Sequence, residues 1–285
     1  MNPATVPAYW DLMALQFRHQ QPPLRPCAED VRIHEETLRS WIRHHPNRRM
    51  NALLLGVTPE LADMNWPDSS QLLAMERSQR MIEHVWPGDI EGHRRVICDN
   101  WFSAELPEQS FDVVIGDGVL TGLSYPLRYR EIAHRVSRWL RPDGLLLLRA
   151  FIRPSVPETL ERIAADLVAN RIPRFDILKW RLAMSQQETA ERGVELNAIH
   201  SAWLQLAERF ETAIKAARWP QPTIETIELY AGRAERYSFP SLAELDNAFA
   251  DAFTPVSMTL PRYAFGEQCP IRVYAPRHWG SRRRN

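Results

Sequence analysis

The residues predict an α/β fold, a doubly wound parallel sheet with right-handed crossovers, and three observations carry that prediction. Four apolar runs fall within residues 51–118: Ala52-Leu53-Leu54-Leu55-Gly56, Gln71-Leu72-Leu73-Ala74-Met75-Glu76, Arg95-Val96-Ile97-Cys98-Asp99-Asn100 and Phe111-Asp112-Val113-Val114-Ile115-Gly116-Asp117-Gly118. Strand-like runs of this kind alternate with helical patterns, which is the signature of a parallel sheet covered on both faces. Each run ends in a polar or glycine-containing turn, at the edge where open parallel sheets bind their ligands.

Before the first run, residues 1–50 read as an N-terminal helical cap. Gln21-Pro22-Pro23-Leu24-Arg25-Pro26 lacks the N–H groups a continuous helix needs, so two helices are expected, about 8–17 and 28–44. In the second, Val31, Ile33, Leu38, Trp41 and Ile42 approximate an apolar stripe that packs on the sheet. The first carries Tyr9, Trp10, Leu12 and Phe17 and has two readings, a cover for core or a lid across a ligand mouth. His44-His45 reads as a solvated turn, because no third metal ligand is nearby.

The core, residues 51–150, opens with Leu53-Leu54-Leu55-Gly56, after which Thr58 can cap the next helix and Pro59 suits its first position. Glu76 follows Gly56 by twenty positions, the spacing of an acid that grips ribose hydroxyls beside a βαβ unit. Leu127, Ile132, Val136, Trp139 and Leu140 recur at helical spacing and form the crossover between the fourth and fifth strands. Arginines crowd its outer face, where charge is solvated. Pro142-Asp143-Gly144 turns the chain into the fifth strand.

These runs together resemble the class I S-adenosylmethionine-dependent methyltransferases over roughly residues 51–151 and 238–276. Leu53-Leu54-Leu55-Gly56 stands where that family's first glycine-rich motif begins. Glu76 stands where its ribose-binding acid lies, and Asp99, followed by Asn100, where an acid meets the adenine amine. Phe111-Asp112-Val113-Val114-Ile115 and Leu140-Arg141-Pro142-Asp143-Gly144-Leu145-Leu146-Leu147-Leu148 resemble the fourth strand and the turn into the fifth. The resemblance implies a mostly parallel, seven-stranded Rossmann-like methyltransferase sheet. It also implies S-adenosylmethionine as cofactor, with Gly56, Thr58, Glu76, Asp99, Asn100 and Asp117 as cofactor-binding residues. Asp117 is the candidate to face the methyl donor, with Tyr125 and then His134 as further catalytic candidates. Asp117 also has a plain reading, a turn carboxylate between Gly116 and Gly118 that bonds its own backbone. The sequence departs from the family at Val57-Thr58-Pro59, which adds side chains and removes one N–H donor where glycines are usual, so weakened cofactor binding is expected.

Residues 151–236 read as a helical insertion after the fifth strand. Ser155-Val156-Pro157-Glu158 has the form of a capping box opening a helix to about 170. A longer helix over about 187–217 carries Leu196, Ile199, Trp203, Leu206, Ala207, Phe210 and Ile214, a stripe that either packs the insertion or lines an acceptor pocket. Residues 237–276 return to the core. Ser241-Leu242-Ala243-Glu244 forms a second capping box, and two strands over about 254–260 and 269–274 turn near Gly266. In the resembled family this pair is an antiparallel hairpin at the sheet's edge. Residues 277–285, with Arg282-Arg283-Arg284, read as a disordered tail.

Composition narrows the function. The formal charge of the 285-residue chain is +0, so no global field draws it to nucleic acid or an anionic membrane. Cys27, Cys98 and Cys269 are too far apart for a metal cluster or a disulfide framework, which predicts no metal and a cytoplasmic setting. No apolar run reaches membrane-spanning length, and the N-terminus reads as unprocessed. The function expected is methyl transfer to a small or medium-sized acceptor. The alternative is an inactive protein of the same fold that binds cofactor or a partner. A nicotinamide oxidoreductase is disfavoured by the missing Gly-x-Gly-x-x-Gly fingerprint.

Overall fold

The computed structural model describes residues 9–277. The expectations for the extreme N-terminus and for Arg282-Arg283-Arg284 lie outside the described residues. Two helices come first, α1 (Tyr9–Gln16) and α2 (Ala28–His44), separated by the proline-rich segment. In α2 the Asp30 carboxylate accepts the Cys27 N–H at 2.8 Å and ties down the first turn. Its Leu38 and Trp41 pack on one face of the sheet with Leu54, Ile115 and Leu147. At its end His45 stacks on Trp41 with ring centroids 4.0 Å apart and reaches Asp143, while His44 is exposed, so the solvated reading of the histidine pair holds for His44 and not for His45.

The core alternates strand and helix except between β3 and β4, which a loop joins: β1 (Asn51–Leu55), α3 (Pro59–Ala62), β2 (Gln71–Glu76), α4 (Gln79–Val85), β3 (Arg94–Cys98), β4 (Phe111–Asp117), α5 (Leu127–Trp139) and β5 (Leu140–Arg149). Ala52, Leu53 and Leu54 are completely buried because helices cover both faces. Even-numbered β1 residues meet α2 and α3, while Leu53 and Leu55 meet Ile132, Val136 and Trp139 of α5. The strand β5 begins earlier than the turn chemistry predicts. Leu140 pairs with Phe111, and a register shift absorbs Arg141-Pro142-Asp143 before Leu145 pairs with Val113.

The insertion departs most from expectation. It comprises α6 (Leu160–Val168), α7 (Phe175–Gln186), β6 (Val194–Glu195), α8 (Leu196–Arg209), α9 (Glu211–Ala217) and α10 (Gln221–Glu225). The Ser155 capping box does not form, because Glu158 is taken by a two-pronged ion pair with Arg181 at 2.8 and 2.6 Å. Thr159 caps α6 instead, accepting from the Arg162 N–H. The single helix expected over 187–217 begins only at Leu196 and is broken once. Gln187 turns away to exchange two 2.8 Å hydrogen bonds with the Phe239 main chain, and the chain breaks at Phe210 between α8 and α9. The stripe of Leu196, Ile199, Trp203 and Leu206 packs within the insertion, Trp203 edge-on to Phe175 of α7. Helix α7 had no sequence signal: every residue from Phe175 to Met184 is buried, so it carries no one-sided stripe.

Past β7 (Arg236–Tyr237), which pairs antiparallel with β6, the chain rejoins the core. Helix α11 (Leu242–Phe249) is opened by the Ser241–Glu244 capping box, with both reciprocal hydrogen bonds present. The strands β8 (Phe253–Thr259) and β9 (Ile271–Pro276) form the antiparallel edge. The sheet order is β3-β2-β1-β4-β5-β9-β8, seven strands of a Rossmann-like methyltransferase fold. Strand order reverses between β1 and β4, and the crevice beyond their carboxyl ends is where such a sheet takes ligands.

Candidate functional site

That crevice holds a cleft lined from β1, β2, β4 and the loop after β3. Its floor begins where β1 stops. Gly56 has φ +86°, a left-handed conformation that side-chain-bearing residues rarely adopt, and its N–H donates to Met75 O at 2.8 Å. The Trp101 indole N–H donates to the same carbonyl at 2.9 Å, pinning the loop after β3 against the end of β2. Main-chain N–H groups of Val57 and Thr58 donate to no atom among the described residues, so they remain available to a ligand. Thr58 lines the cleft but does not cap α3 with its side chain, because the helix is one short turn held by the Thr58 carbonyl.

Glu76 closes β2 on the facing side. Its Oε1 accepts the Ser78 N–H at 2.9 Å, and Oε2 stands 3.9 Å from where a Cβ on Gly56 would be. Burial raises its pKa, with the Ser78 and Arg77 main-chain N–H groups pulling the other way. Ser78 caps α4 and donates from Oγ to Asp11 of α1 at 2.9 Å, which fixes α1 along the cleft. Trp10 and Phe17 then form its outer wall.

Asp117, at the end of β4, sits between this cleft and a second, smaller cavity. Thr58, Gly118, Gly122, Trp10 and Phe17 also line both spaces, so the two adjoin. The far wall of the second cavity comes from the insertion, with Trp180 of α7, Tyr230, and Tyr237 of β7. Tyr237 is fixed by a 2.5 Å hydrogen bond between its hydroxyl and that of Tyr9. Burial first, then the paired hydroxyls, sets the tyrosine pKa values, and Tyr237 is pushed up to about 12.

Asp117 Oδ1 accepts from Arg149 Nε at 2.5 Å, and both side chains are buried. The register explains the pair, since β4 and β5 place Asp117 directly beside Arg149. Burial pushes the Asp117 carboxyl up from its ordinary value and the guanidinium opposes it. Burial likewise works against the Arg149 charge, and Asp117 overrides it, so the arginine stays charged. Arg149 also donates to Pro23 O at 2.8 Å and approaches Tyr263 Oη at 3.4 Å, while the Tyr263 hydroxyl donates to Asp30 at 3.0 Å. The carboxylate is thereby held by a buried framework that reaches back to α2.

Of the residues singled out in the sequence, Gly56, Thr58, Glu76, Asn100 and Asp117 all line the cleft. Asp99 does not: its Oδ1 is turned back to accept the Asn100 N–H at 2.7 Å, so Asn100 faces the space in its place. Tyr125 is packed edge-on against Tyr129 and its hydroxyl donates to Glu244 O at 3.2 Å, outside both cavities. His134 is exposed on α5. Sequence reasoning missed Arg149, although a lone charge closing Leu145-Leu146-Leu147-Leu148 was a signal that it answers an acid on the next strand. It also missed the aromatic wall of the second cavity. Among the described residues, no three or more His, Cys, Asp and Glu side chains group as a metal site.

No protein-family model matches the chain, and no curated protein matches it. Solved structures do. A putative zinc-dependent alcohol dehydrogenase from Rhodobacter sphaeroides is 14% identical, with 94% of this chain and 96% of that one covered, at a TM-score of 0.53. The PH0226 protein of Pyrococcus horikoshii OT3 is 14% identical over 92% and 99% of the two chains, TM-score 0.48. The N-methyltransferase NodS of Bradyrhizobium japonicum WM9, in complex with S-adenosyl-L-homocysteine, is 12% identical over 93% and 98%, TM-score 0.47. At such identities the property shared is the fold.

Proposed function

We propose that the chain is an S-adenosylmethionine-dependent methyltransferase acting on a small or medium-sized acceptor. One observation carries the reading: a cleft bearing nucleoside-type contacts adjoins a second, aromatic-walled cavity, and Asp117 stands where they meet. The cofactor residues fit their roles. Glu76 Oε2 would accept from ribose hydroxyls, the free N–H groups of Val57 and Thr58 would meet the methionine carboxylate, and Asn100 would face the adenine edge. Gly56, at φ +86°, takes a conformation that side-chain-bearing residues rarely adopt and leaves that side of the cradle without a side chain. When bound, the cofactor supplies a methyl group on a positively charged sulfur, already an activated electrophile.

The chain's own contribution is then alignment and exclusion of water. Trp10 and Phe17 roof the cleft, and the insertion closes the acceptor side. Arg149 holds Asp117 in one orientation through Oδ1, which leaves Oδ2 to orient the acceptor and take its proton. The insertion supplies walls rather than an open basic face, which favours a small acceptor over a nucleic acid. No helix among the described residues is long and apolar enough to cross a membrane.

The Val57-Thr58-Pro59 loop favours a second reading, a protein of the same fold that binds the cofactor without transferring its methyl group. Calorimetry with S-adenosylmethionine, S-adenosylhomocysteine and NAD separates these. Binding of the first two with no NAD binding is expected, followed by methyl transfer from labelled cofactor to an acceptor library. NAD binding alone would overturn the proposal, and cofactor binding without transfer to any acceptor would favour the second reading.

A further inference from the structure

Resting on that reading, we infer that the second cavity selects a neutral, planar aromatic acceptor. The cavity presents aromatic side chains from three separate stretches of chain: Trp10 and Phe17 near the N-terminus, Phe151 after β5, and Trp180, Tyr230 and Tyr237 of the insertion. Such rings favour flat π-systems through offset and edge-on contacts, and they also attract cations. Charge decides between the two. Among the described residues, the sole ionisable carboxylate or base on the wall, apart from tyrosine hydroxyls, is Asp117, and it is already paired with the buried Arg149. Behind the wall, Lys179 Nζ stands 5.8 Å from the Tyr230 ring centroid and occupies that ring as a cation partner. A cationic ligand would lose its hydration without gaining an unpaired counter-charge, and would sit beside the cofactor's own positive sulfur.

Trp180 gives the wall a rigid ring. Edge contacts with Phe151, Tyr237 and Phe239, at centroid separations of 5.3, 5.5 and 5.4 Å, hold it in place where it borders the cavity. The acceptor class is therefore a flat aromatic carrying an uncharged amine or hydroxyl for Asp117.

The test uses the full chain, saturated with S-adenosylhomocysteine at pH 8, and three probes: 6-aminoquinoline, its cationic analogue 6-amino-1-methylquinolinium, and the saturated alcohol 2-decalol. By calorimetry, 6-aminoquinoline should bind at least about tenfold more tightly than either of the others. Trp180→Ala, which removes that ring from the wall, should weaken it about tenfold while S-adenosylhomocysteine affinity stays within about twofold. Leu24→Trp, which fills the second cavity without bordering the cleft, should abolish 6-aminoquinoline binding alone and so guards against a misfolded Trp180→Ala. Equal or tighter binding of the cation, or no binding of 6-aminoquinoline by a chain that binds S-adenosylhomocysteine, would overturn the inference. Failure of S-adenosylhomocysteine to bind, with 6-aminoquinoline still bound and displaced by Leu24→Trp, would sink the cofactor assignment and leave the aromatic cavity standing.

Discussion

At the scale of single residues, the two acids that close β2 and β4 do different work. Glu76 keeps one oxygen for its own backbone and offers the other to the cleft, so Glu76→Ala should weaken S-adenosylhomocysteine binding by about 1.5–3 kcal/mol, roughly ten- to a hundredfold, by calorimetry. Because burial holds its pKa above the ordinary 4.5, the charged acceptor is lost as pH falls through that raised value, and affinity should decline before an exposed carboxylate would titrate. An affinity flat down to pH 4.5 would contradict the assignment. Asp117 is a buried partner to Arg149. Arg149→Met strands its charge and should cost about 3–5 kcal/mol in urea unfolding, most of it recovered in Arg149→Met with Asp117→Asn. Gly56 and Glu76 were legible because each directly follows a run whose burial the sequence announces. Asp99 shows the limit: whether that acid or Asn100 faces the ligand depends on one peptide's rotation, and the Asn100 N–H that captures Asp99 leaves no sequence mark.

At the scale of elements, legibility followed competition for polar groups. The two capping boxes have the same pattern, yet Ser241 and Glu244 complete theirs while Glu158 is drawn off by Arg181, a partner 23 residues away that only tertiary packing supplies. The core strands were legible because a parallel strand buried on both faces must be continuously apolar. Helix α7, equally buried, was not, since Asp176 and Lys179 pair inside it at 3.0 Å and break its apolar pattern. The β6–β7 pairing was also unannounced, and it positions the Tyr237 wall. Gly193 has φ +60°, and a Cβ there would lie 2.5 Å from Tyr237 O. Gly193→Ala should therefore lower the melting temperature and weaken acceptor binding while leaving S-adenosylhomocysteine affinity nearly intact. Equal loss of both ligands would mean that the pairing supports the cleft as well.

At the scale of the molecule, a short helix joins the sheet and the insertion over the site. Helix α1 bonds the core through Asp11 and Ser78 and the insertion through Tyr9 and Tyr237, and its side chains border both cavities. The aromatic and apolar residues of residues 8–17 left open whether this segment covers core or lies across a mouth. The structure has it doing both, because Tyr9 and Met13 are buried in the insertion's core while Trp10 and Phe17 face the cavities. A shared roof has a kinetic consequence. Spent cofactor and methylated product would leave through the same opening, so turnover would be timed by how often the roof lifts. Tyr9→Phe, which removes one of its two hydrogen-bonded anchors, should then raise the steady-state rate severalfold while leaving the single-turnover rate unchanged, and a pre-steady-state burst present in the parent should shrink.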